Sequence, residues 1–359
     1  MCKGEAVRFM VRYHHTLQLN SIFMKSRYNY LDYSKALAII LVVTGHLCLF
    51  AINDGDVASA DKMRLYRVLT MFQMPLFFFI SGCVIKSENK VDNISKKMYV
   101  KFRQLIVPFL FFGIIYTYFV NKTFWDFISP VMKLGYWYLL VLFEFYILYY
   151  LFGWLSQMYA KSHYSKIIDL IIVIAIYIPI RLLNKDADVN HICWQNTLSL
   201  IQVQRYFPYF FLAILLRKSA MIEKVFANKY TLYVSALICI VAVALVLFGI
   251  DIPLKGYWLP WFCVGLTLSV LHKFENIENV FTKGMLFIGQ RTLDIYLFHY
   301  FIVYFIKLNS YTVFYNRYNY FTLETIGIFP ISLAVACVSI FVLGGVKRTY
   351  LGRLVFYKP

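Results

Sequence analysis

Residues Leu31–Cys48 read LDYSKALAIILVVTGHLC, an almost unbroken apolar stretch with Lys35 near one end and His46 near the other. Its length is close to the about 20 apolar residues that a helix needs to cross a hydrocarbon core. Similar runs recur to the end of the 359-residue chain. The whole is 61% hydrophobic and 19% aromatic but only 15% charged, with a mean hydropathy of +0.64. An ordinary soluble domain carries about 25% charged residues, and one soluble core could not hide this much apolar surface. The expectation is an all-α polytopic membrane protein of about ten transmembrane helices with no soluble domain.

Apolar runs set against polar breaks place the spans near 33–52, 69–85, 105–120, 137–155, 166–182, 200–216, 230–249, 257–271, 285–306 and 325–344. Several contain proline (Pro75, Pro108, Pro208, Pro260), which in a membrane helix is tolerated where neighbouring helices shield the freed backbone groups. Of the 36 Lys and Arg, about 23 fall on the side of the N-terminus and about 11 on the other. That bias puts both termini in the cytoplasm, and the protein is expected in a bacterial cytoplasmic membrane. Residues 1–29 are expected to be a basic, disordered tail, 30–346 the membrane domain and 347–359 a basic cytoplasmic tail. The N-terminal stretch lacks the central apolar block of a signal peptide, and Met24 opens a second plausible start.

The net charge of +18 sits in short clusters between apolar runs, so membrane orientation accounts for it and no nucleic-acid partner is expected. The seven cysteines are scattered without a CxxC pair, and neither a disulfide framework nor a metal site is expected. No glycine-rich phosphate loop is present.

Polar residues inside spans are costly, so each asks for a reason. Lys35 and His46 stand 11 residues apart, which puts them on one helical face about 16 Å apart along the axis. Lys35 alone reads equally as an interfacial lysine reaching the headgroups or as a ligand. His46 reads as a packed histidine or as a general base near neutral pH. In FIGQRTLDIYLFHYF (Phe287–Phe301), Arg291 and Asp294 are three apart and pair on one face, as a packing lock or as part of a site. His299 lies too far around the helix from Asp294 for a simple pair. A carboxylate partner for it must come from another span, and Glu144 is a candidate. QMPLFFFISG (Gln73–Gly82) combines Pro75 with the small pair Ser81–Gly82 that permits close helix packing. The inner loop SKKMYVKFRQLIVP reads either as a topology and headgroup signal or as an anion site.

In their order along the chain, these segments resemble the integral-membrane acyltransferase family three, in particular its fucose O-acetylase-like branch. LDYSKALAIILVVTGH is similar to the family's first helix, where a basic residue precedes a key histidine by 11 positions. MPLFFFISG is similar to the second-helix signature, KFRQLIVPF to the basic start of the third, GYWYLLVLFEFY to the fourth, and IGQRTLDIYLFH to the late helix ending in histidine. The resemblance covers residues 30–344 or so. It implies transfer of an acyl group, usually acetyl, from acetyl-CoA or another acyl-CoA to a sugar hydroxyl of an envelope polysaccharide or lipid-linked glycan. Membrane lipid and a carbohydrate or glycolipid acceptor are then the expected partners. By the same resemblance His46 is the base, with His299 and Asp294 beside it. Lys35, Lys101 and Arg103 hold the CoA phosphates, and Glu144, Arg291 and Ser81 line the acceptor site. Many members carry arginine at the Lys35 position and an R-x-x-R in the inner loop, where this chain has only Lys97, Lys101 and Arg103. The rival class is a transporter or flippase for a sugar or glycolipid, which also explains intramembrane charges and broken helices. A non-catalytic membrane scaffold is the third reading.

Overall fold

The structure, a computed structural model, describes residues 28–85, 93–159, 162–185, 194–250, 252–253, 255–308 and 321–356. The expected N-terminal tail up to residue 27, Cys2, Cys193 and positions 86–92 of the basic connection lie outside the described residues. Among the described residues every regular element is a helix.

Helix α1 (Asn29–His46) continues as a π-helical turn over Leu47–Ile52. Then follow α2 (Arg64–Thr70), α3 (Gln73–Cys83), α4 (Ile94–Lys101) and, across a second π-helical turn at Phe102–Ile106, α5 (Val107–Phe119). Next come α6 (Trp137–Met158), α7 (Ser165–Leu183), α8 (Leu200–Lys218), α9 (Lys229–Leu247) and α10 (Lys255–His272). The chain ends with α11 (Val280–Gly289), α12 (Thr292–Phe305), α13 (Phe321–Val346) and the short α14 (Tyr350–Val355). Six stretches are long and apolar enough to cross a membrane: Asn29–Ile52, Arg64–Cys83, Ile94–Phe119, Trp137–Met158, Lys229–Leu247 and Ile326–Val346. Helices also occupy the expected positions of the spans at 166–182, 200–216 and 257–271, with Pro179, Pro208 and Pro260 inside them.

The first span is the axis of the bundle. Its apolar window is 67% buried, against 22% for Lys229–Leu247 at the periphery, and it packs on α3, α10, α11, α12 and α13. A buried helix cannot leave hydroxyls or end amides without partners. Ser34 and Thr44 accordingly donate back to the carbonyls of Tyr30 and Ile40. The Glu275 carboxylate, from beyond α10, accepts from the backbone N–H groups of Asn29 and Tyr30 at 2.9 and 2.6 Å. That acidic cap sits where the helix dipole is positive.

Two expectations are corrected. The run expected as one span at 285–306 is broken into α11 and α12 at Gln290–Arg291, two shorter apolar helices. Gly289 ends α11 directly on the α1 backbone, where an added Cβ would overlap the Asp32 carbonyl; this close approach needs a residue without a side chain. The stretch expected as a basic loop is helical from Ile94 onward and runs without a gap into α5. It holds no glycine, and its first proline, Pro108, falls in the opening turn of α5, where proline is compatible with a helix. At the C-terminal end, α14 lies against α5: Arg103 donates to the Leu354 carbonyl at 2.8 Å and Phe112 meets Phe356.

Candidate active site

His46 is the last α-helical residue of α1, at the point where the turn widens into the π-helical segment. Such wide turns are common at functional sites because they redirect a side chain without ending the helix. The half-buried His46 faces His299 of α12, which is wholly buried. Nδ1 of His46 lies 2.9 Å from Nε2 of His299, with the rings stacked at 12°. Nδ1 of His299 lies 2.8 Å from the Ile295 carbonyl. A carbonyl only accepts, so in the neutral ring the His299 proton is on Nδ1 and its Nε2 is an acceptor. His46 must then donate from Nδ1. Its Nε2 carries the free lone pair, 3.1 Å from the Tyr300 hydroxyl.

Tyr300 has a second acceptor, the Gly135 carbonyl, at 3.3 Å. The Tyr296 hydroxyl donates to the same carbonyl at 2.8 Å. Gly135 closes a turn in which Lys133, Leu134 and Gly135 all have left-handed φ (+48°, +48° and +100°). An added Cβ on Gly135 would collide with the Tyr300 ring. Lys133 holds this turn: it is fully buried, and its ammonium donates to the carbonyls of Ile128, Pro130 and Asn196 at 2.7–2.8 Å. Burial pushes the Lys133 ammonium down to about 8, a shift opposed by the charge of Glu144.

One turn from the histidines, towards the N-terminal ends of α1 and α12, lies an apolar cavity of about 160 Å³. Val42, Met74, Phe77, Leu105, Tyr138 and Tyr296 are among its lining residues. Val42 precedes His46 by one turn and Tyr296 precedes His299 by less than one. Thr292, beside Arg291, lines the far end. The cavity therefore meets α1 at Val42, one turn before His46, and α12 at Thr292, Leu293 and Tyr296.

The expected site residues fall into separate groups. His46 and His299 meet directly, so the partner of His299 is a second histidine and not a carboxylate. Glu144 has no described contact with either ring; its Oε2 is buried without a hydrogen-bond partner. Ser81 reaches the cavity through the Tyr138 hydroxyl, 2.9 Å away. Arg291 and Asp294 do not pair as expected. Arg291 caps α12 from outside the helix, over the Phe287 ring and bonded to the Phe287 carbonyl, while Asp294 forms an ion pair with Lys347. Lys35 pairs with the buried Asp32 at 2.9 Å. Lys101 lies 4.3 Å above the Tyr146 ring and 3.4 Å from Gln104. Sequence reasoning missed Tyr300, although it adjoins His299 in FHYF. It also missed Asp32, Lys133 and Gly135, whose roles depend on contacts made across the fold. Among the described residues no three His, Cys, Asp or Glu side chains converge as a metal site.

The bundle thus holds a histidine pair one turn from an apolar cavity. Residues 28–344 match the family model described as an acyltransferase domain, so the chain belongs to the acyltransferase-3 family. It is a multi-pass membrane acyltransferase, and the transporter reading is not favoured. No curated protein and no solved structure matches it.

Proposed function

We propose that this protein is an O-acetyltransferase of the fucose O-acetylase-like branch. It moves acetyl from acetyl-CoA to a sugar hydroxyl of an envelope polysaccharide or lipid-linked glycan. In this reading ten helical segments, one of them broken into α11 and α12, cross a bacterial cytoplasmic membrane, with both termini inside. The observation that carries it is the His46–His299 pair one helical turn from an apolar cavity lined by Val42, Tyr138 and Tyr296.

The lining supports this division of labour. The cavity of about 160 Å³ has an apolar lining that suits the acyl end of a thioester, whereas a CoA nucleotide or a sugar would need polar partners there. The nucleotide of CoA then stays outside, at the cytoplasmic rim, where Lys35, Lys101 and Arg103 supply cationic donors for its phosphates. The acceptor approaches from the opposite side of His46; Arg291 and Ser81, on the cavity side, flank the donor's path, and Glu144 has a buried carboxylate oxygen free of hydrogen bonds. Asp294, paired with Lys347, closes the inner end and stands apart from the proton transfer.

His46 Nε2 takes the proton of the sugar hydroxyl as its oxygen attacks the thioester carbonyl. The new C–O bond forms, the C–S bond breaks, and the CoA sulfur leaves with the proton returned by His46. His299 Nε2, accepting from His46 Nδ1, stabilises the transient imidazolium and fixes its tautomer.

The test uses purified protein in nanodiscs with labelled acetyl-CoA and an extract of lipid-linked glycans. Acceptor-dependent release of CoA thiol, with label recovered in the sugar fraction, is the expected result. A protein that binds the glycans but consumes no thioester would contradict the proposal.

A further inference from the structure

Tyr300 is the one hydroxyl bonded to the Nε2 of His46 among the described residues, and as drawn it occupies the lone pair a base needs. A substrate hydroxyl can reach that nitrogen only if Tyr300 gives the position up. The structure contains the alternative partner: the Gly135 carbonyl, 3.3 Å from the same hydroxyl against 3.1 Å for His46. Two acceptors at nearly equal distance, one proton donor and a rigid support make an exchange point.

The support is built for this purpose out of expensive parts. Two non-glycine residues in left-handed conformation precede Gly135, a backbone that is costly and persists only where its surroundings enforce it. The Lys133 ammonium enforces it by bonding three carbonyls at once, one of them from Asn196 across the bundle. The Tyr136 hydroxyl adds a bond to the Leu297 carbonyl of α12, so the turn and the helix bearing Tyr300 are fixed to each other.

We propose that the Lys133–Gly135 turn holds the Gly135 carbonyl as a second acceptor for the Tyr300 hydroxyl, so that Tyr300 swings from His46 to Gly135 when an acceptor hydroxyl takes His46. Tyr300 is thus a positioning residue that guards the base, and Tyr296 shares the Gly135 carbonyl with it. The proposal rests on His46 as the base. Its test does not use acyl transfer, so the two can fail separately.

The probe is diethyl pyrocarbonate, which carbethoxylates an unprotonated imidazole nitrogen with an available lone pair. The full-length protein in nanodiscs is treated without substrate, and modification of His46 is followed by peptide mass spectrometry. Losing one neutral hydrogen bond should change the rate about fivefold. Tyr300→Phe should raise it by that factor. Tyr296→Phe should raise it about twofold, because a carbonyl that accepts from one hydroxyl instead of two holds Tyr300 more strongly, and should add nothing in a Tyr300→Phe background. Lys133→Met should lower the rate, and adding Tyr300→Phe should restore it to the level of Tyr300→Phe alone. An unchanged or lower rate in either tyrosine variant overturns the proposal, as does a Lys133→Met loss that Tyr300→Phe leaves in place. If Lys133→Met does not fold, the tyrosine variants decide the matter by themselves.

Discussion

His46 and His299 are chemically identical side chains placed in unlike surroundings. His299 is wholly buried and spends Nδ1 on the Ile295 carbonyl, which leaves it one role, that of accepting from His46. His46 is half-buried and keeps Nε2 directed at Tyr300. In the proposed chemistry His46 is the base and His299 its support, so the two substitutions should differ in degree. His299→Phe removes the acceptor that fixes the tautomer but leaves a base in place; transfer should fall about tenfold to a hundredfold, less than the loss of a general base altogether. Steady-state transfer at saturating acetyl-CoA checks this, with KM for the donor unchanged. Spacing alone revealed that Lys35 and His46 share a face, because one helical period fixes that relation. It could not reveal His46–His299, a contact between helices 253 positions apart in the chain. The Arg291–Asp294 pair failed for a local reason: α12 begins at Thr292, and Arg291, its N-cap residue, turns its guanidinium back to the Phe287 carbonyl while Asp294 turns to Lys347.

At the scale of elements, the break between α11 and α12 and the Lys133 turn do most to shape the site. The break in the apolar run at 285–306 falls at its one polar stretch, Gly289–Thr292, and there Gly289 seats against the Asp32 carbonyl. Gly289→Val should force α11 away from α1 and cost about 1–3 kcal/mol of stability, read as a lowered thermal midpoint in detergent. The turn makes a prediction in which stability and reactivity part company. The folded protein releases the Lys133 proton near 8, whereas the unfolded chain keeps it to an ordinary 10.5. Between those values the unfolded state binds more protons, so this group makes stability rise with pH. The neutral amine has only two N–H donors for three carbonyls, however, so the turn loosens over the same interval. His46 carbethoxylation, corrected for reagent hydrolysis, should therefore decline above pH of about 8, while the thermal midpoint does not. In Tyr300→Phe the decline should vanish.

For the whole molecule, composition and hydropathy were enough to show a helical membrane protein, because lipid leaves the backbone no other spanning form among helices of this length and apolarity. The order of apolar runs also anticipated where α1, α3, α5–α10 and α13 fall. What it could not supply is which helix lies at the centre. The first span is apolar like the others but is the most buried of the six, and it is there that the chain places both Lys35 and His46. The third helix shows the opposite limit: its basic prefix reads as a loop by charge, yet Ile94–Phe119 is helical throughout, since Lys and Arg are good helix formers. Around the central span, polar contacts concentrate at the two ends. Glu275 and the Lys35–Asp32 pair sit at the start of α1, the histidine pair and the Gly135 turn at its finish, and the apolar cavity lies between. In the proposed function this layout anchors the donor at one end and presents the acceptor at the other.

The most direct measurement compares wild type with His46→Ala, both reconstituted in nanodiscs at matched amount and thermal stability. Single-turnover transfer of labelled acetyl from acetyl-CoA to a lipid-linked glycan extract is followed in each. The account predicts that wild type transfers label and that His46→Ala is slower by about a hundredfold or more, with acetyl-CoA binding retained. Equal transfer by the two proteins would contradict it and remove His46 from the chemistry.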